Sequence, residues 1–281
     1  MALLRDLVAT RHLALVIVEH ALNIPIVLEL ASRVWTLEDG RIREDPIDSV
    51  RNETAAASHP EVREWIGTLG GTRRQEELPS GAVLTVVSRQ PDGAVVLDAE
   101  DLVVYRAGRR VLGWSEPNGA IRGISLRLRT GDVAMLEAPN GWGKTTLLES
   151  LMGLVPTAAG VVRVNGRAVR DPHQRVRAGV VLLRPFATLF NHLTVDDNVR
   201  LYGRPVEPIE FDGDVLVGTL SGGQRQRLAW NITVGRRSDV LLLDEPLTSM
   251  DAATVPKALA TLAAMDQRAV LVTVPKRRAR C

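Results

Sequence analysis

The 281-residue chain is 45% hydrophobic and 24% charged, enough to bury one large core or two smaller ones. Its 35 basic and 33 acidic side chains nearly cancel, which argues against nucleic acid as a bulk partner, and the closing KRRAR at Lys276 to Arg280 reads as a solvated tail. The single cysteine, Cys281, excludes an intrachain disulfide and a thiolate metal cage, a composition that fits the cytosol.

The longest apolar stretch, Leu13 to Leu30, is broken by Glu19, His20, Asn23, Pro25 and Glu29, so it fails as a membrane span. Within it LALVIV (13–18) predicts a buried strand, and ALNIPIVLELASR a helix in spite of Pro25. VWTLEDGRI, Val34 to Ile42, predicts a hairpin with Asp39-Gly40 as its turn. Residues 70–92 are rich in Gly, Arg, Glu, Pro and Ser around a weak apolar run at Ala82 to Val87, and read as a linker. Three regions follow: 1–69, a linker at 70–92, and 93–281. From Val95 onward strands, a glycine loop and alternating helices and strands predict an α/β layout, with a mainly parallel central sheet and a small antiparallel sheet. LALVIVEH at Leu13 to His20 and AVLVTVPK at Ala269 to Lys276 look like one strand written twice.

APNGWGKTT, Ala138 to Thr146, follows the strand VAMLE and opens the helix LLESLMG. It fits the phosphate loop G-x-x-x-x-G-K-[ST], except that Ala138 stands at the first glycine. Asn140, Gly141, Trp142 and Gly143 would present backbone to phosphates at a helix N-terminus, with Lys144 reaching the β and γ oxygens and Thr145 and Thr146 following. The Thr145 hydroxyl suits Mg²⁺. In VLLLDEP, Val240 to Pro246, Asp244 ends an apolar strand where a carboxylate can hold Mg²⁺ through water, and Glu245 can take a proton from an attacking water. Alone, such an Asp-Glu pair reads as a helix cap. Here it follows LSGGQRQR, in which Ser221, Gly222 and Gly223 start a helix with a hydroxyl and bare N–H groups suited to a γ-phosphate.

The order of phosphate loop, LSGGQ, DEP and TSMD (Thr248 to Asp251) resembles the ATP-binding subunit of ATP-binding-cassette (ABC) transporters over roughly residues 95–275. The resemblance implies a P-loop NTPase fold with a shortened helical subdomain, and hydrolysis of ATP with Mg²⁺ as cofactor. It implies ATP sandwiched between two such subunits, so that Ser221, Gly222, Gly223 and Gln224 act on a partner's nucleotide and Asp251 belongs to the loop crossing that interface. Tyr105 is the implied adenine-stacking aromatic. The implied partners are transmembrane subunits and a second ATP-binding subunit, identical or not, at the cytoplasmic face of the membrane, and the implied task is import of amino acids or similar small solutes. Two other readings stay open: a degenerate ATP-binding partner with little hydrolysis, and a non-transport ABC ATPase.

Three departures from the family pattern stand out. The glutamine expected after GVVLL is replaced by Arg184-Pro185; only 25 residues separate Val195 from Ser221; and the switch histidine expected after AVLVT is Val274. At the other end, VIVEHALNIPIVLELASRVWTLEDGRI resembles the end of another such ATPase from its switch histidine, here His20, and SHPEVREWIG (58–67) resembles the tail of branched-chain amino-acid importer ATPases. His20 is therefore the candidate last catalytic residue beside Glu245. Residues 1–67 either hang as an appendage or fill the place of the C-terminal elements that the chain lacks after Val274.

Overall fold

A computed structural model describes residues 16, 31–38, 41–47, 60–105, 120–184, 189–247, 250 and 254–276. The chain divides into two units, Met1–Pro60 and Glu61–Cys281. In the first, β1 (Val34–Glu38) pairs antiparallel with β2 (Arg41–Asp45), from Val34↔Asp45 to Glu38↔Arg41, which is the hairpin expected of VWTLEDGRI. Arg33 bridges to Glu44 at 2.7 Å and lies over the Trp35 ring, 4.9 Å from its centroid. The strand expected at 13–18 (Val16 apart), residues 21–30 of the helix expected after it and His20 lie outside the described residues; residues 31–33, the end of that expected helix, are not helical.

The second unit opens with α1 (Pro60–Thr68), followed by β3 (Thr72–Leu78), a 3₁₀ turn (Pro79–Gly81) and β4 (Ala82–Ser88). Then come β5 (Val95–Tyr105), β6 (Ala120–Arg129), β7 (Asp132–Ala138), α2 (Lys144–Met152), β8 (Thr157–Val164) and β9 (Arg167–Ala168). The remainder is α3 (Pro172–Arg177), β10 (Val180–Leu183), α4 (Val195–Tyr202), α5 (Gly222–Gly235), β11 (Val240–Asp244), α6 (Thr254–Ala263) and β12 (Ala269–Pro275). A six-stranded sheet runs β10-β11-β12-β7-β4-β3, in which the first four strands are parallel and the β3–β4 hairpin is antiparallel to its neighbours. A separate antiparallel sheet runs β6-β5-β8-β9.

Strands β4, β7, β10, β11 and β12 are near-continuous apolar runs because both faces of the large sheet are covered there. Their residues alternate between two cores. Leu84, Leu136, Leu242 and Leu271 meet the antiparallel sheet and Leu147 of α2, whereas Met135, Leu243, Val272 and Val274 share the opposite core with Val62 and Ile66 of α1. A third small core joins α4 to α5 through Val195, Leu228 and Ile232. Between β10 and α5, α4 is the one α-helix among the described residues, in keeping with a short helical subdomain.

The structure places two strands within the expected linker. Residues 72–78 and 82–88 are β3 and β4, and they and α1 fall in the second unit, Glu61–Cys281. The apolar run read as weak, AVLTVV, is β4, buried almost throughout beside β7. The charges that suggested a loop belong to β3, an edge strand, where Arg73, Arg74, Glu76 and Glu77 can stay solvated while the backbone pairs on one side.

Candidate functional site

The site is built at the C-terminal ends of the parallel strands β7, β11 and β12. Strand β7 runs into the loop 139–143, whose Gly141 and Gly143 take φ of 83° and 112°, left-handed values that suit glycine. A Cβ on Gly143 would also come within 2.7 Å of the Ile121 side chain, so the loop packs closely on β6. Ala138 at the departed glycine position is extended, as the last residue of β7, and needs no left-handed backbone. The Cβ it carries is fully buried and costs no strain.

Lys144 opens α2 and is 6% exposed; its Nζ donates to Ala138 O at 3.2 Å and lies 3.1 Å from Glu245 Oε1. The neighbouring Thr145 donates its hydroxyl to Asp244 Oδ2 at 2.6 Å. Across the sheet, Asp244 is in register with Thr273 of β12, whose Oγ1 donates to Asp244 Oδ1 at 2.8 Å. The same Thr273 oxygen accepts the backbone N–H of Glu245 at 3.0 Å. Glu245 holds φ of 43°, a left-handed value for a residue with a Cβ, which costs about 1 kcal/mol. The Thr273 bond and the Lys144 pair hold it there.

Burial raises the Asp244 pKa above its ordinary value of 3.8; the Thr145 and Thr273 hydroxyls oppose that rise, the adjacent Glu245 charge adds to it and Lys144 counters. A buried carboxylate beside a threonine hydroxyl is a pair of hard oxygen donors, the chemistry Mg²⁺ prefers, so the donor set fits that ion. Among the described residues no group of three or more His, Cys, Asp or Glu side chains gathers as an all-protein metal cage.

Ser221 caps α5. Its Oγ accepts Gln224 N–H at 3.3 Å while Gln224 Oε1 accepts Ser221 N–H at 2.8 Å, a reciprocal capping box at an exposed helix start. Gln226, one turn on, is buried and donates to Pro246 O at 3.2 Å, tying α5 to the residue after Glu245.

The ABC transporter family profile matches residues 121–248. An uncharacterised ABC transporter ATP-binding protein of Rhizobium meliloti is 31% identical over 224 residues, 72% of this chain and 79% of that protein. The chain belongs to the ABC transporter ATP-binding family.

Other members of the family share the cassette but are longer than the matched part. The sulfate/thiosulfate import ATP-binding protein of Shewanella oneidensis is 34% identical over 155 residues, 47% of this chain and 43% of that relative, so the chain spans less than half its length. A branched-chain amino acid transport ATP-binding protein of Archaeoglobus fulgidus is 31% identical over 145 residues, 45% of this chain and 61% of that relative. Among solved structures, an ATP-binding subunit of an ABC transporter superimposes with a TM-score of 0.52 at 18% identity, covering 63% of this chain and 78% of that one. An ATP-binding cassette solved as a dimer in a post-hydrolysis state with ADP and Pi gives 0.50 at 20% identity, covering 63% and 87%. Both show the ABC ATPase fold.

Within this cassette the structure brings Lys144, Thr145, Asp244 and Glu245 together, with Asn140, Gly141, Trp142, Gly143 and Thr146 in the adjoining loop and helix start. Tyr105 sits at the end of β5 paired with Ala120, one step from the Ile121 that abuts Gly143, and Arg122 lies over its ring at 5.9 Å. Ser221, Gly222, Gly223 and Gln224 form the start of α5. His20, Thr248 and Asp251 lie outside the described residues.

Two of the departures have structural counterparts. Val274 is 1% exposed in the core that contains Val62 and Ile66, and offers no polar group to the site. Arg184 follows β10 next to the Asp244 row and pairs with Glu149 of α2 at 2.7 Å. Thr273 was not singled out by sequence reasoning; its signal was a lone hydroxyl inside an otherwise apolar strand, just before the expected switch position.

Among the described residues no helix is long and apolar enough to cross a membrane.

Proposed function

We propose that this protein binds and hydrolyses ATP as the ATP-binding subunit of an ABC transporter, releasing ADP and phosphate. One observation carries the reading: a buried lysine, a threonine hydroxyl and two carboxylates from β7–α2 and β11 converge within hydrogen-bond reach at a glycine loop. In this reading the loop N–H groups and Lys144 hold the β and γ phosphates. Thr145 and Asp244 hold Mg²⁺, which supplies charge neutralisation at the phosphates when bound. Glu245 takes the proton of the attacking water once the phosphates draw Lys144 away from it. Tyr105, beside the loop, stacks the adenine, while Ser221 to Gln224 and Asp251 serve the nucleotide of a second subunit.

For the wider role we propose a peripheral subunit on the cytoplasmic face of the membrane, coupled to transmembrane partners that import amino acids or similar small solutes. The resemblance of SHPEVREWIG to the tail of branched-chain amino-acid importer ATPases supports that substrate class. The relatives named for sulfate, sn-glycerol-3-phosphate and polyamine import keep it a class and not a compound. A second reading, an ATP-binding partner that turns over little, draws on the buried Val274 and on the Arg184–Glu149 pair.

Steady-state phosphate release at saturating ATP and Mg²⁺ tests both. The first reading expects release by the parent, loss of ATP binding in Lys144→Ala, and retained binding with hydrolysis slowed about 100-fold or more in Glu245→Gln. Parental hydrolysis by Glu245→Gln would remove the general-base assignment. ATP binding without release by the parent would favour the second reading.

A further inference from the structure

The phosphate loop is tied down by a part of the chain upstream of residues 121–248, the stretch that the family profile matches. Trp142, between the two left-handed glycines, donates its indole Nε1–H to Pro79 O at 2.8 Å. Pro79 belongs to the turn joining β3 to β4, and the same turn offers a second acceptor: Gly81 O takes Lys276 Nζ at 2.7 Å. Lys276 in turn donates its backbone N–H to Ala138 O at 2.9 Å, the carbonyl that Lys144 also uses. From α1, Arg63 Nε donates to Glu137 Oε1 at 2.5 Å and its other nitrogen reaches Pro275 O at 3.5 Å. The strand entering the loop, the loop itself and the end of β12 are thus each held from residues 61–88.

The turn that makes these contacts is itself held in an unfavourable shape. Ser80 and Gly81 take φ of 60° and 77°, and the serine's left-handed backbone costs about 1 kcal/mol. Nothing lies within 4 Å of the Cβ position of Gly81, so its left-handed backbone, not crowding, is what suits glycine there. What the conformation achieves is to face the Pro79 and Gly81 carbonyls toward the loop and toward Lys276. A loop with glycines on both sides of one tryptophan is conformationally broad by itself. Anchoring that tryptophan removes freedom that phosphate binding would otherwise have to remove.

We propose that residues 61–88 are a working part of the nucleotide site, with Trp142, Lys276 and Arg63 as positioning residues that pre-form the phosphate loop and raise its affinity for ATP. Because linkage is reciprocal, ATP in turn stabilises the β3–β4 hairpin. The inference rests on the ATP-binding reading and goes beyond it, since residues 61–88 lie outside residues 121–248, the stretch that the family profile matches.

The test uses the full chain, with ATP affinity, melting temperature and amide hydrogen exchange at 72–88 measured with and without ATP and Mg²⁺. Trp142→Phe keeps a ring and removes the donor; Lys276→Met keeps the stem and removes the ammonium. Each should weaken ATP binding about 3- to 10-fold with little change in melting temperature. In the parent, ATP should slow exchange across Thr72 to Ser88, and that slowing should shrink in Trp142→Phe and vanish in Lys144→Ala. Unchanged affinity in both variants, or exchange at 72–88 indifferent to ATP in a parent that binds it, overturns the inference while leaving the nucleotide reading intact. A parent that binds no ATP overturns both. Should Trp142→Phe fail to fold, the affinity of Lys276→Met decides.

Discussion

The two ends of the candidate site are built differently. At the phosphate loop four polar side chains are bonded within the chain: Lys144 to Glu245 and Ala138, Thr145 to Asp244, Asp244 to Thr273, Trp142 to Pro79. At the signature, among the described residues, the Ser221 and Gln224 side chains bond to each other's backbone N–H groups, at an exposed helix start. The first end is cross-linked over long sequence distances and rigid by construction; the second satisfies itself locally, which keeps its helix intact whether or not anything docks. Such a contrast is what a site shared between two copies needs. One half must hold ligand alone, and the other must present a finished surface to a neighbour.

The contrast can be broken most severely at the signature. Ser221→Arg should leave the loop end of its own chain able to bind ATP, yet cut hydrolysis about 100-fold or more by spoiling the neighbouring copy's site. Mixed with Lys144→Ala, it should recover activity, since a mixed dimer contains one site with a sound loop and a sound signature. Absence of recovery in verified mixed dimers would argue against identical partners.

A smaller effect sharpens the loop end. Thr273→Val removes the one hydroxyl that touches both carboxylate residues, and should lower kcat about tenfold with little change in KM for ATP. Thr273→Ser should restore most of the rate. Equal losses in both variants, or a change confined to melting temperature, would reduce Thr273 to a packing residue.

The smallest effect concerns stability. With its pKa raised in the folded state, Asp244 keeps its proton to a higher pH than it does in the unfolded chain. Stability from this group is therefore present at acid pH and lost as pH rises through the raised value. Asp244→Asn should remove that slope while abolishing Mg²⁺-dependent hydrolysis. A denaturation series across pH checks it; an Asn variant with the parental slope would refute the assignment.

What the sequence made legible was whatever is encoded in fixed local spacing. The glycine loop, the signature and the Asp-Glu pair needed only a few adjacent residues each, and their assembly followed from strand order in an α/β sheet. Whether alanine fits at position 138 depended on its backbone, which is extended as the last residue of β7. What stayed hidden depends on register or long separation. Thr273 matters because β11 and β12 align it with Asp244, and Arg63 because it meets Glu137 far along the chain. Strand β3 escaped notice because an edge strand tolerates the same charges as a loop, and it took its apolar neighbour β4 with it.

That edge strand has a further consequence during synthesis. β4 carries the apolar run AVLTVV and leaves the ribosome well before β7, the strand that will cover its other side. For that interval its backbone groups and apolar side chains are exposed together, the combination that invites sticking to other nascent chains. β3 emerges first and pairs with it through a two-ended turn, bringing Arg73, Arg74, Glu76 and Glu77 alongside. Charged neighbours of this kind act as gatekeepers against aggregation. In this chain the strand that borders the sheet can thus chaperone its own partner until the phosphate loop strand arrives.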